Sequence, residues 1–219
     1  MDKNKNILLA RRFMTEIVYR SAVLEGINVT YPEVQTICDG YGISGITIDE
    51  LNTIYNLKKA WEWMLENVYE EIGVKTLCRL NEFIVRNTLD NAGTIRTETA
   101  LPIKVSLSEG RFFYPELPPE KVMIDKTITE LIAEASIDSA LDLFCYVCKA
   151  QLFVNGNKRT ATLITNMFLI QNGLGIFSIP IDKKTEFCDL LTKFYENDAN
   201  IDALKVFLRA NCLTGTADT

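Results

Sequence analysis

The residues best placed to do chemistry in this 219-residue protein lie in one run: Lys149-Ala150-Gln151-Leu152-Phe153-Val154-Asn155-Gly156-Asn157-Lys158-Arg159-Thr160. The run reads as a short polar loop that enters a helix through Gly156-Asn157-Lys158. The first backbone N–H groups of a helix have no intrahelical acceptor, and the helix dipole adds positive potential at the same end. Lys158 and Arg159 add two full charges there. The chemistry that follows is anion binding, a phosphate cradle at a helix N-terminus. The same residues also fit an ordinary polar turn between helices with a solvated basic pair. A Walker loop is excluded, because its first glycine and its adjacent Gly-Lys pair are both missing.

Composition narrows the mechanism. The sequence has no histidine, which excludes Ser-His-Asp and Cys-His catalysis and any imidazole base. Six cysteines, Cys38, Cys78, Cys145, Cys148, Cys188 and Cys212, sit mostly among apolar residues and read as small buried hydrophobes. Cys145-x-x-Cys148 falls inside a helical run, and a zinc site would need a further ligand pair. This cysteine usage points to a reducing cytoplasm. A formal charge of −6 argues against a nucleic-acid surface. No apolar run is long enough to span a bilayer, so no membrane role is expected. The polar start, Met1 to Asn6, lacks the apolar core of a signal peptide.

The elements that must position the loop are helices. Upstream, Ile137, Ala140, Leu141, Phe144, Val147 and Cys148 recur at helical spacing; downstream, Ala161, Ile164, Met167 and Phe168 do the same, with Asn172-Gly173 as the stop. A first helix spans about Ile7 to Glu25 and stops at Gly26, leaving Glu25 a carboxylate at the unfavourable end of a helix dipole. Thr30-x-x-Glu33 and Thr47-x-x-Glu50 are capping boxes that open a short helix to Cys38 and a long amphipathic one through Val68. Trp61 and Trp63 on the latter read as core and edge packing. A further helix runs through Leu77, Leu80, Phe83 and Ile84. The texture then changes. Thr94–Thr97 and Leu101–Val105 read as extended, Ser108-Glu109-Gly110 as a turn, and Arg111–Tyr114 as a returning strand, the one convincing hairpin. Pro119 opens another helix, Asp182 caps one through Phe187 and Phe194, and the last spans about Ile201 to Cys212. The fold class is all-α with one β-hairpin. Its parts are N-terminal helices over 1–46, a core over 47–213 and a loose tail over 214–219.

The loop resembles the motif of the Fic (Fic/Doc) family, His-x-Phe-x-(Asp/Glu)-Gly-Asn-(Gly/Lys)-Arg, with Phe153, Gly156, Asn157, Lys158 and Arg159 in place. The histidine position holds Gln151 and the acidic position holds Asn155. Asn157-Lys158-Arg159-Thr160-Ala161 also resembles the Doc branch. Ala92-Gly93-x-x-Arg96 resembles the segment that precedes the family's hairpin flap. Ser21-x-x-x-Glu25-Gly26 resembles the inhibitory motif of self-inhibited Fic proteins.

The resemblance implies a Fic-type helical bundle whose flap, with Leu101, Pro102, Ile103, Lys104, Val105, Arg111, Phe112, Phe113 and Tyr114, takes a segment of an unidentified target protein as an added strand. It assigns Asn155, Gly156, Asn157, Lys158 and Arg159 to nucleotide phosphates, Ser21 and Glu25 to inhibition, and Gln151 to the place of the base. Fic enzymes move AMP from ATP, with Mg²⁺, to a hydroxyl side chain; the Doc branch moves phosphate. A carboxamide cannot take a proton near neutral pH. Loss of a general base costs about 10²–10⁴-fold, roughly 3–5 kcal/mol of barrier. Asn155, at the Mg²⁺ position, offers one neutral oxygen where a hard cation prefers carboxylate, so no metal site is assigned. The second arginine that usually meets the inhibitory glutamate is replaced by Thr162, which leaves Arg159 as the expected partner of Glu25. Two functions follow. One is a catalytically impaired Fic protein that binds a nucleotide, an anion or a partner. The other is an active AMP or phosphate transferase using ATP and Mg²⁺, inhibited by Glu25. Oligomeric state is left open.

Overall fold

The computed structural model describes residues 2–98, 102–107 and 110–216. Among them the helices are α1 (Lys3–Leu24), α2 (Tyr31–Cys38), α3 (Ile48–Glu66), α4 (Val74–Ile84), α5 (Lys121–Leu131), α6 (Ile137–Ala150), α7 (Asn157–Asn172), α8 (Lys184–Glu196) and α9 (Ile201–Asn211). Two short antiparallel pairs complete the fold. One is β1 (Val105–Ser106) with β2 (Phe112–Phe113), the other β3 (Ile176–Phe177) with β4 (Leu213–Thr214).

The bundle is built around α7. From Arg159 to Ile170 every residue of α7 is buried, with α1, α3, α4 and α6 packed around it. The apolar spacing shows only one face; the remaining faces carry Thr160, Thr162 and Asn166, which are buried because their polar groups close locally. Thr160 and Thr162 hydroxyls donate to the carbonyls of Gly156 and Lys158 at 2.9 and 3.0 Å. Asn166 answers both polar groups of Phe177, at 2.8 Å each, and so holds β3 against the helix.

Both capping boxes form. Glu33 and Glu50 carboxylates accept from the hydroxyl and the N–H of Thr30, at 2.7 Å each, and of Thr47, at 2.8 Å each. The hydroxyl bond first for Glu33, and the N–H bond first for Glu50, hold these carboxyls below their ordinary pKa. Trp61 is fully buried, and Trp63 is half-buried against Phe83.

Some boundaries differ from the sequence reading. Helix α1 starts at Lys3, capped by Asp2, because Asn6 is buried and pairs with both backbone groups of Gly175 at 2.8 and 2.9 Å. Thr94–Thr97 form no strand, and β1 is only two residues long. The turn at Ser108-Glu109 and the flap residue Leu101 lie outside the described residues. Asp182 falls within a 3-10 turn, Ile181–Lys183, and Lys183 takes the N-cap of α8. Thr214 opens no loose tail but pairs with Ile176. The pattern hid β4 because two residues carry no period.

One buried residue ties the bundle to the polar loop. Asn81 on α4 is 2% exposed. Its Nδ2 donates to Asn155 O at 2.9 Å and Thr160 Oγ1 at 3.2 Å, and its Oδ1 accepts from Gly93 N–H at 3.1 Å. Asn81→Ala leaves a partly buried carbonyl and a partly buried N–H unanswered, so it should lower unfolding free energy by about 1–3 kcal/mol. Urea denaturation measures this, and a loss below the range of one ordinary hydrogen bond would contradict it.

Candidate functional site

Helix α6 ends in a non-glycine residue of left-handed backbone, Gln151, at φ 43° and ψ 54°. Such a conformation costs an L-residue about 1–2 kcal/mol and persists where the surroundings dictate it. Here they do. Gln151 is 5% exposed. Its Nε2 donates to Cys148 O at 2.7 Å and to the Tyr195 hydroxyl at 3.2 Å; its Oε1 accepts from Asn157 Nδ2 at 3.0 Å. Its carbonyl accepts from Arg96 Nε at 2.7 Å. Arg96 N–H donates to Leu152 O at 2.9 Å, and its Nη2 to Glu116 O at 2.8 Å. Burial raises the Tyr195 phenol well above its ordinary pKa, so it stays protonated.

The loop then crosses over the core. Phe153, 1% exposed, anchors it. Asn157 closes it: Oδ1 accepts from Phe153 N–H at 2.9 Å and Nδ2 donates to Phe153 O at 2.7 Å. The Asn157 carboxamide is thereby committed to the loop, so what this residue offers an anion is its backbone N–H. Gly156 is required twice over. Its φ is 80°, and a Cβ there would lie 3.0 Å from Ile84 Cγ2 and 3.1 Å from Asn81 Nδ2 and Val85 Cγ1.

At the start of α7 the first turn is left without a capping side group. Its amides and Lys158 border a cleft of about 470 Å³, lined also by Gln151, Asn155, Glu25, Val105 and Tyr195. Asn155 Oδ1 accepts from Gly156 N–H at 2.6 Å and from Arg159 Nη2 at 3.1 Å. Glu25 closes one end. Its Oε2 lies 3.1 Å from Arg159 Nε and its Oε1 3.6 Å from Lys158 Nζ. The contact to Arg159 Nε is an ion pair rather than an aligned hydrogen bond, since that buried N–H finds no acceptor of good geometry.

The position of Glu25 follows from the end of α1. Gly26, at φ 91°, and Ile27 donate to Val23 O at 3.0 Å and Ala22 O at 3.1 Å, a Schellman closure that fixes the carboxylate's stem. Lys184 Nζ adds a donor to Val23 O at 2.5 Å. Ser21 enters through its carbonyl, which accepts from Glu25 N–H at 3.1 Å. Thr162 turns its hydroxyl back to Lys158 O and away from Glu25.

The flap forms the opposite wall. Ile103, Val105, Leu107 and Phe113 are half-buried, whereas Pro102, Lys104, Arg111, Phe112 and Tyr114 are exposed. Phe113 stacks on Tyr195 with centroids 5.0 Å apart, Lys104 Nζ sits 4.2 Å from the Phe112 ring centroid, and Arg111 pairs with Glu196. Lys149 caps the end of α8, donating to Phe194 O and Tyr195 O at 3.0 and 2.8 Å. The structure therefore brings Glu25, Gln151, Asn155, Gly156, Asn157, Lys158 and the described flap strand to one cleft, with Arg159 behind Glu25. Sequence reasoning did not assign Tyr195, Asn81 or Arg96 to it. Arg96 lay within a recognised segment, but nothing in the pattern of α8 marks Tyr195. Cys145 and Cys148 lie in the core; burial pushes Cys145 up to about 12 and Cys148 well above its ordinary value.

A helical bundle with an anion-type helix N-terminus under a hairpin flap is the class that fold and site define. Residues 71–169 match the Fic/DOC family. The chain is similar to the protein adenylyltransferase fic-1 of Caenorhabditis elegans, 25% identical over an alignment of 216 positions that covers 91% of this chain and 40% of the relative. The Caenorhabditis briggsae protein of the same name is 24% identical over 211 residues, again 40% of its length. The chain thus spans about 40% of the length of the curated relatives it matches. Among solved structures, a Fic-domain-containing signaling protein from Bacteroides thetaiotaomicron superposes with a TM-score of 0.75 at 18% identity, covering 96% of this chain and 85% of that one. Fic-1 from C. elegans gives 0.71 at 23% identity, covering 92% and 61%. Among the described residues, no helix is long and apolar enough to cross a membrane.

A carboxylate beside an anion cradle repels the anion. Glu25→Gln should therefore raise affinity for inorganic tripolyphosphate by about a hundredfold, since one like-charge pair about 6 Å apart at an effective dielectric of about 20 repels by roughly 3 kcal/mol. Isothermal calorimetry reads this; an unchanged affinity would mean that Glu25 does not face the bound anion.

Proposed function

We propose that this Fic protein binds a nucleotide through the N-terminus of α7, is held closed by Glu25, and is impaired in group transfer. The observation that carries the reading is the state of Gln151. It occupies the base position, and both polar atoms of its carboxamide are already hydrogen-bonded inside the fold. It has no lone pair basic enough to accept a hydroxyl proton near neutral pH.

The residues present do not fit Mg²⁺. The one oxygen at the metal position, Asn155 Oδ1, is neutral and already receives a guanidinium N–H at 3.1 Å. Phosphate charge is instead met by Lys158, by Arg159 once Glu25 yields it, and by the amides of Asn157 and Lys158, joined by that of Gly156 once Asn155 Oδ1 yields it. ATP binding is accordingly metal-independent, and the flap edge at 102–107 holds a segment of a protein partner. Six free thiols suit a reducing compartment such as the cytoplasm. The relatives named as adenylyltransferases make AMP the group to test first.

Two outcomes check this. EDTA should leave ATP affinity within about twofold, and Arg159→Ala should weaken it by about 1.5–3 kcal/mol, the worth of a charge-assisted hydrogen bond. Restoring base, metal ligand and open site together, as Gln151→His, Asn155→Asp and Glu25→Gly, should yield labelled protein from α-labelled ATP in cell lysate. Each change alone should do little, since such groups act as a unit. Label from γ-labelled ATP alone would mean phosphate transfer. A wild type as active as the triple variant would overturn the impairment and make the protein an enzyme as it stands.

A further inference from the structure

Two Asn-Gly steps occur in the sequence, Asn155-Gly156 and Asn172-Gly173. Such a step is chemically labile. With no side chain on glycine, its nitrogen can approach and attack the carboxamide carbon of the preceding asparagine. The fold holds the two steps in opposite ways. Asn172 is the last residue of α7; its Nδ2 donates back to Phe168 O at 2.8 Å, and Gly173 N–H donates to Ile170 O at 3.2 Å. The carboxamide is turned away from the glycine nitrogen that follows it.

At Asn155 it is turned forward. Gly156 N lies 2.6 Å from Oδ1, one bond from the carbon to be attacked. Arg159 Nη2 donates to the same oxygen at 3.1 Å. It polarises the carbonyl and would stabilise the negative charge that attack places there, as an oxyanion donor does. Asn81 Nδ2 holds the Asn155 carbonyl at 2.9 Å, which steadies the backbone on that side. Asn155 itself is exposed, so water reaches it.

We propose that Asn155 is a self-modification site that converts without an enzyme to aspartate and isoaspartate. The Gly156 nitrogen gives its proton to solvent hydroxide and bonds to Cγ. The Cγ–Nδ2 bond breaks, and Nδ2 takes a proton from water and leaves as ammonia. The succinimide so formed is opened by water. Breaking the new bond between Cγ and the Gly156 nitrogen gives aspartate, and breaking the original peptide bond to that nitrogen gives isoaspartate. The aspartate product carries a carboxylate where a neutral carboxamide stood, beside the guanidinium that Glu25 holds at 3.1 Å. In isoaspartate the chain runs through Cγ, and the carboxylate takes the place of the backbone carbonyl that Asn81 holds. The loop gains a hard anionic oxygen, the donor type divalent cations prefer, and Glu25 gains a competitor for Arg159. The ring closure stands on Asn155, Gly156 and Arg159 alone; the gain in metal affinity rests also on the nucleotide-site reading above.

The full folded protein is aged in mildly alkaline buffer, and peptide mapping follows the mass gain of replacing an amide NH₂ by OH at each step. In the fold Asn155 should convert faster than Asn172 by about tenfold or more, because only its reacting atoms are held together. In urea the two rates should converge. Arg159→Gln should slow Asn155 by about tenfold or more, as loss of an oxyanion donor does. An unchanged Asn172 rate in that variant reports that its fold is intact. Equal rates in the folded protein, or faster conversion of Asn155 in urea than in the fold, would overturn the proposal. Aged protein and Asn155→Asp should both bind Mn²⁺, read by its paramagnetic resonance, more tightly than fresh wild type. Conversion with no such gain would overturn the metal consequence and leave the modification standing.

Discussion

The whole arrangement depends on answering the backbone polar groups of a loop that is buried at its ends. Six residues, 151–156, cross from one core helix to the next over an apolar bed. Buried N–H and C=O groups without partners would each cost as much as a lost hydrogen bond. Three residues from three places prevent that. Asn157 closes on Phe153, Asn81 reaches Asn155 from α4, and Arg96 reaches Gln151 from the segment ahead of the flap. Given those bonds, the first turn of α7 is left uncapped and faces the cleft.

This division of labour explains how the loop keeps its shape while its chemistry changes. The residues that fold it, Phe153, Gly156 and Asn157, match the family motif. The positions that differ from the motif are 151 and 155, and on the proposed reading these are the ones that would bear on proton transfer and metal binding. Gln151 uses its carboxamide as both donor and acceptor within the fold, which an amide can do and a carboxylate cannot, whereas Asn155 only accepts, through Oδ1. Glu25 belongs to the same network, since its charge is balanced by Lys158 and Arg159.

Much of this was legible in the sequence, and for physical reasons. Capping boxes at Thr30 and Thr47, the stop at Gly26 and the break at Gly173 are local signals, and each falls at a helix end in the structure. The pairing of Glu25 with Arg159 is what the resemblance implies once Thr162 stands where the family carries a second arginine, and the structure adds Lys158 as a second cation. Other features are set by tertiary contact alone. The burial of α7 on every face, the two-residue strand β4, and the pairing of Asn6 with Gly175 leave no periodic trace. Tyr195 is one aromatic among several on α8; only the fold puts its ring under Phe113 and its hydroxyl against Gln151. Residue type alone makes the Asn157 carboxamide a phosphate ligand, because type cannot say which way a side chain turns; the fold turns it to Phe153 instead.

A crystal structure of the protein with ATP, grown without divalent metal, decides whether an intact nucleotide cradle stands next to a base position that can take no proton. The expected result has phosphate oxygens on the N–H groups of Gly156, Asn157 and Lys158, Arg159 released from Glu25, and Gln151 still bonded to Asn157 and Tyr195. Nucleotide bound elsewhere, or a Gln151 carboxamide swung free into the cleft toward the α-phosphate, would contradict it.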